Sequence, residues 1–321
     1  MEGMLKAGFA RRVRASIVLW ALAMMAVPQW SQADAPSVAV LYPELREPFR
    51  GVFLEIVEGI EAGLRSPVKS YALTNDDSAL KSQLAQERVE VAITLGRSGL
   101  LAARKLADTL PVVVGATFVS PDAENRGLAG ITLAPAPDAL FDRLRRLAPE
   151  IKRVSVVYDP KSKTWEIEQA RKAARERGLT LNALPAEDLR SSAALYRTVL
   201  DETRGGGGAL WLLQDDAAMD ERALLPLILT EAWDNNLVVF SSNPDHVRKG
   251  ALFSLYPDNA GMGRSLAAMA RKRLQGGVSG DTDIEPLKDL LFAVNLRTAE
   301  HLGLRFDSQD RRQFDLVFPA P

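Results

Sequence analysis

The chain alternates short strand-like segments with longer amphipathic segments, and this alternation constrains the fold more than any other feature of the sequence. The strand-like segments are almost entirely apolar, as in Val89–Leu95 (VEVAITL) and Ala209–Leu213 (ALWLL). The segments between them place apolar residues at helical spacing, as in Phe49–Leu64. Apolar strands joined by helices predict parallel sheets that are covered on both faces, with right-handed crossovers. The predicted fold class is therefore α/β.

Two successive runs of such units predict two similar lobes, with a crossing point near Leu133–Pro137 (LAPAP). A strand at Ala251–Leu255, a helix at Asn259–Leu274 and a short return near Phe292–Leu296 follow the second run. Because these elements come after both lobes have formed, we expect the chain to cross between the lobes more than once.

The first 33 residues have the pattern of a secretion signal. A basic segment, residues 6–14, precedes an apolar run at residues 15–27 that is shorter than the roughly 18 residues needed to span a bilayer. Ser31 and Ala33 are the small residues that a signal peptidase accepts. We expect cleavage after Ala33 and export to a bacterial periplasm. The alternatives are a buried core helix and, as a destination, the medium.

The composition excludes several kinds of site. The chain has no cysteine, and therefore no disulfide, no thiolate nucleophile, no cysteine zinc site and no cysteine that a lipid could modify. We therefore expect a released protein rather than a lipoprotein. The formal net charge is −1 and no basic block is present, so we expect no nucleic-acid partner.

Candidate catalytic groups are few. Gly96–Gly99 (GRSG) follows a predicted strand and opens a predicted helix, but Leu100 stands where the motif G-x-S-x-G requires glycine. Of the two histidines, His301 lies in a predicted helix, so a serine hydrolase would have to pair Ser98 with His246. Since no residue set supplies a paired base and nucleophile, we expect a binding protein rather than an enzyme, and no cofactor.

Three other motifs suggest ligand sites that their positions do not support. Gly205–Gly208 precedes a predicted strand, whereas a phosphate-binding loop follows a strand and opens a helix. Gly261–Gly263 lacks the third glycine of a dinucleotide fingerprint. An acidic group after the strand Ala209–Leu213 has the spacing of no calcium loop, so we expect helix capping and no metal. Its members are Asp215, Asp216, Asp220 and Glu221.

Polar and aromatic residues recur at the carboxyl ends of the predicted strands, the edge at which open α/β sheets bind ligands. If two lobes face one another these residues converge, and their chemistry suits a small, partly planar or apolar molecule. Arg97 is placed either to pair with a ligand carboxylate or to point into solvent. The candidate ligand-binding residues are Tyr42, Arg97, Ser98, Thr117, Tyr158, Trp165, Gln214, Asp215 and Asn243.

Three stretches carry a family pattern: Arg153–Asp159 (RVSVVYD), residues 209–226, and Gly250–Gly261 with its continuation Phe292–Leu304 (FAVNLRTAEHLGL). They resemble the substrate-binding proteins of ABC transporters, specifically the tryptophan/tyrosine-type branch. The resemblance implies a type I periplasmic binding fold, in which two Rossmann-like lobes joined by three crossovers clamp a ligand. It implies residues 34–133 and 250–280 in lobe 1, and residues 134–249 and 281–321 in lobe 2.

The resemblance also implies ligand contacts and a role. Asp215 and Tyr158 match the family's ligand-contacting turns best, and Ser98 and Thr117 match them less closely. The bulky turn Tyr42–Glu44 departs from the family's small polar turn, as Arg97 does from its hydroxyl residues, which leaves the ligand open.

The implied role is that of a soluble, monomeric periplasmic protein that hands a captured small molecule to an ABC permease and its ATPase. A ligand sensor for a separate membrane receptor and a secreted hydrolase are the alternative interpretations.

Overall fold

The computed structural model describes residues 37–44, 49–74, 79–204, 206–214, 216–276 and 282–319. The described residues all belong to one compact unit, Pro36–Pro321. The predicted leader and its cleavage site, like Asp215, lie outside the described residues. Within the described ranges no helix has the length and apolar character needed to span a membrane.

Six strands of the described chain form a first sheet, sheet A. They are β1 (Val38–Pro43), β2 (Lys69–Leu73), β3 (Val91–Leu95), β4 (Val112–Thr117), β5 (Ala129–Pro135) and β11 (Asp283–Leu287). Their spatial order is β11-β5-β4-β3-β1-β2, and every neighbouring pair is parallel. All five residues of the central strand β3 are buried, which is why its sequence carries no polar alternation.

Seven strands of the described chain form a second sheet, sheet B. They are β6 (Arg153–Tyr158), β7 (Thr180–Pro185), β8 (Gly208–Leu212), β9 (Val238–Ser241), β10 (Phe253–Pro257), β12 (Leu290–Asn295) and β13 (Leu316–Phe318). Their order is β13-β12-β10-β9-β8-β6-β7. The β10–β12 pair is antiparallel, and the other neighbouring pairs are parallel.

Helices connect the strands and cover the sheets, which confirms the predicted α/β class. They are α1 (Phe49–Leu64), α2 (Leu80–Gln86), α3 (Gly96–Leu106), α4 (Pro137–Leu147), α5 (Pro160–Glu176), α6 (Leu189–Glu202), α7 (Leu225–Asp234), α8 (Pro244–Lys249), α9 (Asn259–Gly276), α10 (Leu296–His301) and α11 (Ser308–Arg311). Side chains before several of them cap their first turns; for example, Asp159 accepts the Lys161 amide of α5, and Asp188 accepts the Ser191 amide of α6.

The helices α1 and α9 approach each other unusually closely on one face of sheet A. A Cβ on Gly263 would stand 2.2 Å from the Ile56 carbonyl oxygen, and a Cβ on Gly59 would stand 2.2 Å from the Ala260 carbonyl oxygen. Only glycine fits at these positions. The contact buries Ile60 of α1 and Leu266 of α9 in one apolar cluster with β1 and β3.

The chain crosses between the two sheets three times. The crossings follow β5, β10 and β11. The second and third crossings differ from the expected grouping, which placed residues 250–280 with lobe 1 and residues 281–321 with lobe 2. β10 lies in sheet B because it pairs with β9 and β12, and β11 lies in sheet A because it pairs with β5. The sheet that a strand joins depends on which strands it pairs with, and the local sequence does not specify those partners.

Hydrogen bonds tie the three crossing segments together. The Ala136 amide donates to the Leu287 carbonyl at 2.8 Å, and the Asp258 amide donates to the Asp289 carbonyl at 3.0 Å. The Ser265 hydroxyl of α9 donates to the Asp289 carboxylate at 2.6 Å. These hydrogen-bonded crossing segments, here called the waist, join the two sheets.

Aromatic side chains fill the centre of sheet B. Trp211 and Phe240 stack at 6.2 Å, Phe240 and Phe253 stack at 5.1 Å, and Phe141 of α4 packs edge-on against Trp211 at 5.7 Å. These four residues are among the largest fully buried side chains of the described chain. Sheet B therefore offers a rigid base for the turns at its carboxyl edge.

Candidate functional site

A side-chain contact joins the carboxyl edges of the two sheets. Phe118 directly follows β4 of sheet A, and Lys163 lies in α5, the helix that follows β6 of sheet B. The Lys163 ammonium lies 4.5 Å from the centroid of the Phe118 ring. Because open α/β sheets bind ligands at this edge, the space between these turns is the candidate site.

Lys163 belongs to a buried ionic group in sheet B, here called the Lys163 cluster, which consists of Lys163, Glu166 and Asp216. The Lys163 ammonium lies 3.6 Å from the Glu166 carboxylate, and the two side chains are 5% and 8% exposed. The same ammonium donates a hydrogen bond to the Gln214 carbonyl at 2.7 Å. Lys163 thereby connects α5 to the turn that follows β8.

Asp216 connects the same turn to the end of β6. Its buried carboxylate accepts the backbone amide of Asp159 at 3.1 Å and the backbone amide of Ala218 at 2.8 Å. The Ser192 hydroxyl of α6 donates to the Ala218 carbonyl from the other side. The turn after β8 is thus fixed from three directions.

Burial dominates the electrostatics of the cluster. It raises the pKa of Glu166; the Lys163 ammonium opposes this increase, and the Asp216 carboxylate adds to it. Burial also raises the pKa of Asp216, against the effect of the two amides that it accepts. Both carboxyls therefore hold a proton more readily than exposed carboxyls do.

Sheet A contributes a cavity of about 240 Å³ at its carboxyl edge, lined mainly by apolar groups. Tyr42, at the end of β1, lines it together with Arg50, Phe53 and Val57 of α1. Beside it Gly96 has a φ of +75°, and a Cβ there would stand 3.2 Å from the Phe53 ring. Glycine at this position lets the turn after β3 pack against the wall of the cavity.

The structure places the predicted site residues of sheet A along this edge. α3 begins at Gly96, directly after β3, so Arg97 and Ser98 lie in its first turn, and both are exposed. Thr117 is the last residue of β4 and precedes Phe118. Tyr42 lies in the cavity wall. These positions agree with a ligand-binding edge, and the contact of each residue with a ligand stays a prediction.

The predicted site residues of sheet B are more dispersed. Tyr158 ends β6 and is half-buried, Trp165 is a half-buried residue of α5, and Gln214 offers its carbonyl to Lys163. Asn243 caps α8 by accepting the Asp245 amide at 2.9 Å, and it also donates to Glu221 at 3.3 Å. Asn243 is therefore engaged in structural hydrogen bonds.

His246, the candidate base of a hydrolase, is engaged as well. Its side chain is buried, with Nδ1 2.8 Å from the Ser241 hydroxyl and Nε2 3.0 Å from the Glu221 carboxylate. Burial lowers the pKa of His246, and the Glu221 carboxylate partly offsets this decrease. Because both ring nitrogens are taken, His246 is not free to activate Ser98. Ser241 is itself fully buried and offers no exposed nucleophile.

Sequence reasoning missed Lys163, Glu166 and Phe118. A signal for the first two is present in α5, whose buried residues are Lys163, Glu166, Ile167, Ala170, Ala173 and Ala174. This is helical spacing, so two charged residues lie in the stripe that faces the core. Charged side chains in such a stripe are rarely buried unless they are paired.

A family model described as ABC transporter substrate binding protein matches residues 69–309. No curated protein sequence matches the chain. A ligand-free, open substrate-binding protein with adhesive properties from Clostridium difficile is similar in structure, with 16% sequence identity and a TM-score of 0.61. The match covers 89% of this chain and 100% of that one.

Two further solved structures are similar. A conserved domain protein from Vibrio cholerae has 16% identity and a TM-score of 0.50, with 88% of this chain and 99% of that one covered. An ABC domain from Streptococcus pneumonia, solved in complex with L-Trp, has 17% identity and a TM-score of 0.49, covering 88% of this chain and 100% of that one. At these identities the likeness concerns the fold, which is that of type I periplasmic binding proteins.

Proposed function

The chain belongs to the family of ABC transporter substrate-binding proteins, and we propose on that basis that it captures a small molecule between the carboxyl edges of its two sheets. The observation that carries the proposal is the meeting of Phe118 and Lys163 across those edges at 4.5 Å. A ligand bound there contacts both sheets, so its binding energy favours the closed arrangement.

The waist supports closure by a hinge. Three crossing segments join the sheets, and hinges are formed by a few residues at the ends of such elements. In this proposal the Lys163 cluster forms a fixed wall on sheet B. The cavity beside Tyr42 and the exposed turn with Arg97 and Ser98 form the opposing wall on sheet A.

The proposed location is the bacterial periplasm, where the protein is a released monomer that delivers its ligand to an ABC permease and ATPase. The support is the signal-like leader with its small residues Ser31 and Ala33, and the absence of any cysteine for lipid attachment. Expression of the full-length gene tests this step. Recovery from the periplasmic fraction with Asp34 as the first residue supports it, and retention of residues 1–33 contradicts it.

A thermal-shift screen of the exported protein tests the binding function. Amino acids, purines, sugars and small organic acids are added at millimolar concentration, where a micromolar ligand raises the melting temperature because stabilisation grows as RT ln(1 + [L]/Kd). The residues to vary are Tyr158 and Tyr42, since each lies at the carboxyl end of a strand at the proposed site. Alanine at either should weaken the shift of a true ligand while the protein remains folded.

A further inference from the structure

The ammonium of Lys163 is surrounded by three different kinds of group. The Gln214 carbonyl accepts a hydrogen bond from it at 2.7 Å, the Glu166 carboxylate lies 3.6 Å away, and the Phe118 ring lies 4.5 Å away. The Lys163 side chain is 5% exposed. The Lys163 ammonium therefore lies inside the protein, largely shielded from solvent.

A carbonyl, a carboxylate and an aromatic face are the groups with which proteins recognise an ammonium ion. The carboxylate balances its charge, the carbonyl accepts one N–H, and the negative face of the ring attracts the cation. Here two of the groups come from sheet B and the ring comes from sheet A. The arrangement is an ammonium cage that lies across the proposed ligand site.

We propose that Lys163 fills this cage with its own side chain and is a specificity-determining residue, so that the site selects small molecules without a primary ammonium group. The existence of a ligand rests on the proposed function, whereas the exclusion of ammonium groups rests on the geometry of the cage. Neutral or anionic molecules, such as carboxylic acids without an amino group, are the class that the site accepts.

The exclusion follows from charge and burial. A ligand ammonium at this position would meet the Lys163 charge at short range where water does not screen it, and like charges in such surroundings repel strongly. Glu166 is already engaged with Lys163, and the Gln214 carbonyl already accepts from it. The incoming ammonium would therefore meet repulsion from Lys163 and acceptors that Lys163 already engages.

Chemical rescue tests the cage without any knowledge of the natural ligand. Lys163→Ala removes three methylene groups and the ammonium, which together correspond to n-propylamine. Melting temperatures of the wild type, Lys163→Ala and Lys163→Met are compared in equal concentrations of n-propylammonium chloride and sodium chloride. Lys163→Met is the matched control, because methionine occupies similar space without a charge.

The expected result is that n-propylammonium raises the melting temperature of Lys163→Ala by several degrees relative to sodium chloride, with no difference for the wild type or Lys163→Met. Adding Phe118→Leu to Lys163→Ala should reduce the rescue, since it removes the aromatic wall. A folded Lys163→Ala that responds equally to both salts overturns the cage. If this variant does not fold in sodium chloride, its refolding yield in n-propylammonium decides in the same way.

Matched ligand pairs test the specificity. Tryptophan is compared with indole-3-propionate, and phenylalanine with 3-phenylpropionate, pairs that differ by the amino group alone. We expect the wild type to be stabilised by the acid at lower concentration than by the amino acid, and Lys163→Ala to reduce that preference at least tenfold. A wild type that prefers the amino acids overturns the proposal. Successful rescue with no response to any ligand would count against the proposed function and leave the cage intact.

Discussion

Asp216 accepts the backbone amide of Asp159 at 3.1 Å, so one buried carboxylate joins the strand-end turns of β6 and β8. A side chain in one turn thus sets the position of the other. The proposed ligand wall of sheet B is therefore formed by hydrogen bonds between turns that are far apart in sequence, and it should be sensitive to single substitutions.

Asp216→Ala should destabilise the protein by on the order of 1–3 kcal/mol, because it leaves the part-buried amide of Asp159 and the buried amide of Ala218 without an acceptor. Asp220→Ala is the matched control: Asp220 also accepts two amides in this turn, but those bonds are exposed and water can replace them. Urea unfolding measures both. Equal losses would contradict the role assigned to Asp216.

Glu166→Gln should change how stability depends on pH. Burial raises the pKa of Glu166, so its contribution to stability is complete below the usual carboxyl range and is lost as pH rises through the raised pKa. Replacement by glutamine should remove this dependence of the free energy of unfolding on pH. Urea unfolding between about pH 4 and 8 measures it, with the exposed Glu168→Gln of the same helix as control. A slope that persists in Glu166→Gln would assign the dependence to another group.

His246→Gln should also change how stability depends on pH, but with the opposite sign to Glu166→Gln. Burial lowers the pKa of His246, so the unfolded chain takes up a proton first as pH falls. The stabilising contribution is complete above the usual histidine pKa of about 6.5 and is lost as pH falls toward the lowered value. The variant should lose this part of the acid sensitivity, and His301→Gln should retain it. NMR titration of the two imidazoles gives an independent reading.

Two glycine-to-alanine substitutions in the α1–α9 region should have opposite signs. Gly263→Ala forces a methyl group against the Ile56 carbonyl and should cost at least about 1–3 kcal/mol of stability. Gly51→Ala meets nothing within 4 Å and lies in α1, where alanine should stabilise by about 0.5–1 kcal/mol. Thermal unfolding distinguishes them. A neutral Gly263→Ala would mean that the helices can separate without loss.

The central strands were predictable because burial on both faces leaves a simple trace in the sequence. β3 and β8 are buried throughout and almost entirely apolar, and both lie inside their sheets. β11 (DIEPL) gave no such trace, since it is an edge strand of sheet A with polar residues and a proline. The family inferred from short motifs is confirmed by the match over residues 69–309.

The sequence could place the candidate site at the carboxyl ends of strands, but it could not specify the side-chain contacts there. Residues at strand ends, such as Tyr42 and Thr117, lie where the alternation placed them. Lys163 was overlooked because a charged helical residue normally faces water, and its partners Phe118 and Gln214 are distant in sequence. Asp215, the residue that the resemblance favoured, lies outside the described residues and stays a prediction.

The glycine-lined contact between α1 and α9 also sets the order in which the molecule can be completed. α9 supplies Met262, Leu266 and Ala270 to the core that β1 and α1 begin, yet it follows five of the seven strands of sheet B along the chain. The apolar face of the first sheet therefore stays uncovered until a segment that follows β6 to β10 of the second sheet packs against it. Contacts so distant in sequence form slowly. The core that the chain begins first thus depends on a helix that follows five strands of the other sheet.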